Sequence, residues 1–264
     1  MDLAPLEQYE KDMHERIAKY TQRDALQKAA RAFFKEIGIG KADYVYNFFW
    51  MGVPIIQIPQ DIHAMQEVIW KAKPDLIIET GIAWGGSLIF SASMLTVLEH
   101  CELVDNPMVL GIDIDIRTHN KKNIMEHPLS KKITMFEGSS TSSEMIARVY
   151  DFAKGYSRIL LCLDSNHTHE HVLSELQAYA PLVSEGSYCI VGDTVIEDAP
   201  GSMVSHRPWG RGNSPKTAVW TFLKELQKGK TIAFDGKSLN FEIDHELEHK
   251  LAVTGSPDGY LRRK

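Results

Sequence analysis

Two short stretches hold the side chains best suited to chemistry. Asp164-Ser165-Asn166-His167 follows the largely apolar stretch 158–163, and Gly192-Asp193-Thr194 follows 187–191. If those two stretches are neighbouring strands, the carboxylates of Asp164 and Asp193 converge. Two carboxylates with a neutral oxygen suit a hard divalent cation such as Mg²⁺, which keeps several of its waters. His167 stands three residues beyond Asp164. An imidazole beside a cation-held hydroxyl can take its proton near neutral pH, and the cation makes that proton easier to remove. His169 and His171 follow at a spacing of two, which puts successive imidazoles on different faces of a helix and keeps all three from one metal. A site of two histidines and one carboxylate for iron is the alternative. The plainer readings are a helix cap for Asp164, and solvated or helix-start positions for His169 and His171.

Upstream, Asp75-Leu76-Ile77-Ile78-Glu79-Thr80-Gly81-Ile82-Ala83-Trp84-Gly85-Gly86-Ser87 reads as strand, glycine-rich turn and helix start. Glycines let the backbone approach a ligand closely, and the following helix offers free N–H groups. The spacing is not that of the dinucleotide fingerprint Gly-x-Gly-x-x-Gly. A second strand, 108–113, ends in Asp113, whose carboxylate is placed to accept both ribose hydroxyls of an adenosine cofactor. An ordinary βαβ unit without a ligand is the plain alternative.

These residues need a scaffold, and the chain supplies one. From residue 61 onward, helical and apolar stretches alternate: helices at 61–72, 86–99, 118–127, 142–154, 168–180 and 215–227, and strands at 75–79, 108–113, 132–137, 158–163 and 187–191. Ser214-Pro215 reads as the start of the last helix. Two short strands, 231–234 and 240–243, are expected to finish the sheet as a hairpin-like pair. Such alternation predicts a mostly parallel sheet covered on both faces, with ligands beyond the carboxyl ends of its strands. Every strand of the five ends in polar residues. Residues 6–37 look helical, and the aromatic stretch 44–51 leads into a segment that Pro54 and Pro59 keep from forming a long helix. We therefore expect an N-terminal helical and aromatic extension over 1–58 and a sheet domain over 59–264. The aromatic stretch either packs that extension onto the sheet or lines a pocket or subunit contact. The loop 194–213 carries His206, Arg207 and Trp209, candidates for substrate contacts; a flexible surface loop is the alternative.

Composition narrows the classes. With 264 residues, 44% of them hydrophobic, the chain can bury a sizeable core. A net charge of −6 gives no general attraction to nucleic acid or anionic membrane. No apolar run is long enough to span a membrane, and the first residues lack a signal-peptide pattern. Three widely spaced cysteines, Cys101, Cys162 and Cys189, read as core residues in a reducing compartment, which predicts a cytoplasmic protein.

Taken together, 79–87, 111–117, 137–140, 163–167, 192–194 and the C-terminal Pro257-Asp258-Gly259-Tyr260-Leu261 resemble the cephalosporin hydroxylase family over about residues 45–264. Despite its name, that family is similar to S-adenosylmethionine-dependent, Mg²⁺-assisted O-methyltransferases, and shares the plan of catechol O-methyltransferase and the macrolide-sugar methyltransferases. The resemblance implies a doubly wound, mostly parallel α/β sheet of the Rossmann-like methyltransferase kind. It implies that Glu79, Gly81 and Ser87 hold the methionine part of the cofactor within the turn that also contains Ala83 and Gly85. Asp113 would bind the ribose, Ser139 and Ser140 would lie near the adenine, and Asp164 and Ser165 would border the same cofactor. Asp164 and Asp193 would ligate Mg²⁺, with Thr194 as a third ligand, and His167 would be the general base. The implied partner is a small-molecule hydroxyl acceptor (a sugar, glycoside or other diol), and relatives tend to form homo-oligomers. Two positions depart from the pattern: Gly192 stands where many relatives have Glu, and Trp84 where many have His. Glu197 and Asp198 are the nearest acids that could replace the missing carboxylate. Two other functions compete: an NAD-dependent oxidoreductase, against which the glycine spacing and the later acids argue, and a non-catalytic cofactor-binding scaffold, which Gly192 favours.

Overall fold

The computed structural model describes residues 4–38, 41–199, 204–229 and 231–264. The N-terminal helical stretch is two helices, α1 (Ala4–Tyr20) and α2 (Asp24–Ile37). They separate at Thr21, whose hydroxyl bonds back to the Ala18 carbonyl at 3.1 Å and competes with helical bonding. The aromatic stretch forms a 3₁₀ turn over Tyr44–Asn47 and an antiparallel hairpin of β1 (Phe48–Trp50) and β2 (Val53–Ile55). Met51 and Gly52 at its tip both have positive φ, 45° and 87°, as a tight two-residue hairpin turn demands.

Seven strands form the main sheet: β3 (Leu76–Thr80), β4 (Met108–Asp113), β5 (Ile133–Glu137), β6 (Ile159–Leu163), β7 (Tyr188–Val191), β8 (Phe241–Ile243) and β9 (Tyr260–Arg263), in the order β5-β4-β3-β6-β7-β9-β8. The pairings among β3 to β7 are parallel, and β9 is antiparallel to both its neighbours. Along β3, Leu76 and Ile78 enter one core and Ile77 the other, as the two-residue period of a strand requires. The first core is completed by α6 (Ser143–Ala153), α7 (His169–Tyr179) and α8 (Pro215–Lys228), and the second by α3 (Pro59–Ala72), α4 (Gly86–His100) and Ile124 of α5 (Thr118–Glu126). The hairpin joins the second side: Trp50 Nε1 donates to Ser93 Oγ of α4 at 3.1 Å, and its ring meets Phe90 edge-on at 4.8 Å. α8 begins as the sequence predicts, with Ser214 accepting from Thr217 N and Pro215 in the first turn.

The C-terminal end of the sheet corrects the expectation. Residues 231–234 form no strand; Ile232 makes a single bridge to Ser238. β8 pairs instead with β9, and the connection between them holds a helix that the sequence reading did not include, α9 (His245–Leu251), capped by the Asp244 carboxylate accepting from Leu247 N. The 231–238 turn is recruited by a buried charge. Arg263 of β9 is 1% exposed, donating to the Val183 carbonyl at 2.5 Å and to Asp235 Oδ1 at 2.8 Å. An unpaired guanidinium there would be costly, so Asp235 serves Arg263 rather than a strand ladder. Asp235→Ala is therefore expected to destabilise the fold by about 1–3 kcal/mol in urea denaturation, since it orphans one end of a buried cation; an unchanged midpoint would show that water replaces the carboxylate.

Candidate active site

The sheet reverses its winding between β3 and β6: β4 and β5 lie to one side of β3, β6 and β7 to the other. A crevice opens at such a point beyond the carboxyl ends of the strands. The ladder continues past the strands and sets the three key segments level. Gly81 N bonds to Ile112 O at 2.8 Å, Asp164 N to Thr80 O at 2.9 Å, and Gly192 N to Leu163 O at 2.8 Å. At Gly81 the approach is so close that a Cβ would lie 2.1 Å from the Asp164 carbonyl oxygen. Its φ of 90°, with 46° at Ala83 and 89° at Gly85, folds the turn tightly. Asp113 holds this turn from the next strand, its Oδ2 accepting from Ile82 N at 2.8 Å. Asn120 Nδ2 of α5 donates to the Ala83 carbonyl at 2.6 Å.

A cavity of about 400 Å³ runs from this turn. Its lining includes Glu79, Ala83, Ser87, Asp164, Ser165, His167 and Asp193, and also Arg207 and Trp209. The cavity thus gathers most of the residues singled out from sequence. Gly81 and Gly85 shape the turn from behind. His206 is exposed and not among the lining residues. Ser139 and Ser140 also stand outside that lining: Ser139 Oγ is 3.2 Å from Thr141 Oγ1, and Ser140 is buried with its Oγ 3.2 Å from His171 Nε2.

One ligand atom each from Asp164, His167 and Asp193 lie within 4.8 Å of one another. His167 Nε2 is 3.3 Å from Asp193 Oδ2, and its ring meets Trp209 edge-on at 4.8 Å and 89°. Among the described residues, no donor reaches the Asp164 carboxylate. Burial pushes this carboxyl well above the ordinary range, and the negative charges of Asp193 and Glu79 push it further. Glu79, 4% exposed, is raised to about 7 by burial, against a lowering hydrogen bond from the Ser87 hydroxyl. Among the described residues neither carboxylate has a cationic partner, and both face the cavity. A buried Glu79 suits an ammonium, and the Asp164–Asp193 pair suits a divalent ion; the residues fit both groups on this chemistry.

Two expectations change. Thr194 is fully buried and its hydroxyl donates to the Pro257 carbonyl at 2.6 Å, so it serves the C-terminal turn rather than the cation. Glu197 and Asp198 do not replace a carboxylate at 192. Glu197 accepts from Gly212 N at 2.9 Å and Ser214 Oγ at 2.7 Å, and Asp198 holds Lys216 at 2.6 Å. His171 lies in the first turn of α7, the helix-start alternative, with its ring turned inward. It faces Ser140, Ser165 and the wholly buried Glu175, whose Oε1 also accepts from Ser165 at 2.7 Å. His169 is the helix-start residue foreseen, its Nδ1 2.8 Å from Thr217 Oγ1.

Other lining residues escaped the sequence reading. Asp61 of α3 accepts from Thr254 Oγ1 at 2.6 Å, Gly255 N at 2.8 Å and Tyr260 Oη at 2.9 Å, and burial raises it to about 6 against those bonds. Phe34 and Ile37 come from α2; Val45 and Tyr46 belong to the aromatic stretch, for which pocket lining was one of the two alternatives. The Pro257-Asp258-Gly259-Tyr260 stretch was the available signal for Tyr260; an acid in the first turn of a helix looks like a dipole partner, which hid Asp61.

Residues 42–264 match the family described as Rhamnosyl O-methyltransferase/CmcI. The chain is 29% identical over 225 residues to Rhamnosyl O-methyltransferase of Mycobacterium leprae (strain TN), covering 84% of this chain and 86% of that protein. It is 26% identical over 232 residues to Rhamnosyl O-methyltransferase of Mycobacterium tuberculosis (strain ATCC 25618 / H37Rv), with 83% and 82% covered. Among solved structures, CmcI with Mg and SAM superposes with a TM-score of 0.52 at 17% identity, covering 86% of this chain and 80% of the other, a likeness of fold. These matches displace the NAD-dependent oxidoreductase alternative. The chain belongs to the Rhamnosyl O-methyltransferase/CmcI family of S-adenosylmethionine-dependent methyltransferases.

Proposed function

We propose that this protein transfers the methyl group of S-adenosylmethionine to a hydroxyl of a sugar, glycoside or other small diol, assisted by a divalent cation such as Mg²⁺. The observation that carries the reading is the convergence of Asp164, His167 and Asp193 in one cavity with Glu79 and the glycine turn. The relatives' names supply the acceptor class: both mycobacterial proteins are rhamnosyl O-methyltransferases.

When bound, S-adenosylmethionine supplies a methyl group on a sulfonium, and the cation supplies a Lewis acid for the acceptor hydroxyl. The chain's part is to hold, orient and deprotonate. Glu79, with Ser87 as its hydrogen-bond donor, pairs with the ammonium of the methionine part. Gly81, Ala83 and Gly85 bring the turn's backbone against the cofactor. Asp113, whose Oδ2 holds the turn at Ile82 N, would stand on the ribose side of that turn, and the loops that carry Ser139, Ser140 and Ser165 would border the adenosine. Asp164 and Asp193 would hold the cation, which would supply a fixed point of positive charge for the acceptor oxygen and so reduce the orientation left to be found. His167 would accept the acceptor's hydroxyl proton, and the products of the transfer would be a methyl ether and S-adenosylhomocysteine. Asp193, 3.3 Å from Nε2, offsets the positive charge that the ring acquires. Arg207 and Trp209 contribute to the acceptor's side of the cavity.

One observation favours the scaffold alternative. A Cβ at Gly192 would lie 2.7 Å from Asp164 Oδ1, so the carboxylate that many relatives carry there has no room beside Asp164 as it stands. Incubation with labelled S-adenosylmethionine and sugar acceptors separates the readings: intact cofactor binding with no methylated product selects the scaffold.

For the enzyme, His167→Gln is expected to lower kcat by about 10²–10⁴-fold while the affinity for S-adenosylhomocysteine stays within about twofold. Asp164→Ala is expected to lose both activity and sensitivity to a chelator. Wild-type rates in Asp164→Ala with chelator present would remove the cation from the mechanism. Glu79 yields a pH dependence. Its folded-state pKa is raised from 4.5 to about 7, so in the free protein it opposes folding increasingly as pH rises through that window. The cofactor's ammonium favours the ionised form. Cofactor affinity is therefore expected to fall as pH drops below about 7, and calorimetry with S-adenosylhomocysteine should show proton release near that pH. Glu79→Gln should bind more weakly with a flat profile; a wild-type profile without slope would refute the pairing.

A further inference from the structure

Asp193 stands at a strained point of the chain. Its φ of 54° is left-handed, a conformation that costs a residue with a Cβ and persists where the surroundings hold it. The side chain does not do the holding. Asp193 precedes the 3₁₀ turn Thr194–Glu197 without capping it, and among the described residues its carboxylate has one partner, His167. The constraint therefore comes through the main chain.

Its source is the C-terminal turn 254–260, which methyl transfer itself does not use. Val191 N donates to the Gly259 carbonyl at 2.9 Å, Thr194 Oγ1 to the Pro257 carbonyl at 2.6 Å, and Val195 N to the Gly255 carbonyl at 3.2 Å. Asp193 is thus tied down on both sides. The contact leaves no slack, since a Cβ at Gly259 would lie 2.3 Å from the Val191 carbonyl oxygen. Asp61 of α3 in turn closes the C-terminal turn. Its Oδ1 accepts from Thr254 Oγ1 and Tyr260 Oη, at the two ends, and its Oδ2 from Gly255 N. Asp61 lines the cavity, yet both its oxygens are engaged by the chain.

Resting on the reading of Asp193 as a cation ligand, we infer that Asp61 is a positioning residue. Through the 254–260 turn and the Thr194 hydroxyl it holds the Asp193 backbone where the carboxylate faces Asp164 and His167. Asp61 acts on the chain and not on the acceptor.

The test measures Mg²⁺ affinity by calorimetry, with S-adenosylhomocysteine present, in Asp61→Asn, Thr194→Val and the double variant. Thr194 is fully buried and outside the cavity lining, so Thr194→Val alters the tie alone. Each single substitution is expected to weaken Mg²⁺ binding about tenfold, as a competent backbone populated a tenth of the time would, while S-adenosylhomocysteine affinity stays within about twofold. Thr194→Ser, which keeps the hydroxyl, should bind as the wild type does. The double variant is expected within about twofold of the weaker single variant, because both substitutions cut one path. Independent effects, multiplying to about a hundredfold, overturn the inference. So does wild-type Mg²⁺ affinity in Asp61→Asn, or an equal loss of Mg²⁺ and S-adenosylhomocysteine affinity, which marks general disruption. Should Asp61→Asn fail to fold, Thr254→Val, which removes one of its donors, takes its place. If the wild-type protein takes up no Mg²⁺, the cation reading has failed, and amide hydrogen exchange at Val191 and Val195 decides the inference. Exchange at least about tenfold faster in Asp61→Asn upholds the tie, and unchanged exchange overturns it.

Discussion

The site depends on how tightly β3 and β6 run together. Their register, Leu76 with Ile159 through Thr80 with Leu163, delivers Gly81 and Asp164 to the same level, where main chain meets main chain without room for a side chain. One position thus fixes two functions at once. The turn that follows Gly81 is shaped for close approach to a cofactor, and the carboxylate that follows β6 is fixed in its path. Gly192, one strand further along, allows the same crowding against Asp164 from the other side. A residue with a Cβ at either position would force the strands apart or the carboxylate aside.

The second constraint is charge. Asp61, Glu79, Asp164 and Asp193 line one cavity with Arg207, and Lys216 is engaged by Asp198. Glu79 is buried and Asp61 and Asp164 half-buried, and the raised pKa values of these three express the cost of gathering carboxylates there in the free chain. Behind it, a second polar cluster ties the loops together. Ser165 donates to Glu175, His171 lies between Ser140 and Ser165, and the Tyr179 hydroxyl donates to the Ser140 carbonyl. Through these bonds α7 couples the loop after β5 to the loop after β6, so the segments read as bordering adenine and cation move as one piece.

The sequence made much of this visible because each parallel strand is an apolar run that stops at a polar residue. Asp113, Glu137, Asp164 and Asp193 announce the carboxyl edge without any knowledge of strand order. What could not be read is what tertiary contact alone decides. β9 is four residues long and contains two arginines, and only the burial of Arg263 against Val183 and Asp235 reveals it as an inner strand. Thr194 looks like a ligand beside Asp193 until the Pro257 carbonyl claims it. The aromatic stretch left packing and pocket lining open, and α2 and the 3₁₀ turn furnish a wall of the cavity: a helix's amphipathic stripe does not say which surface it will cover.

Trp209 adds a consequence of another kind. Its indole stands perpendicular to the His167 ring, on a loop anchored where Glu197 grips Gly212 and Ser214. With Asp193 3.3 Å from Nε2 and the indole edge-on at 4.8 Å, the imidazole has little freedom to turn, so the orientation of its nitrogens is set before any ligand arrives.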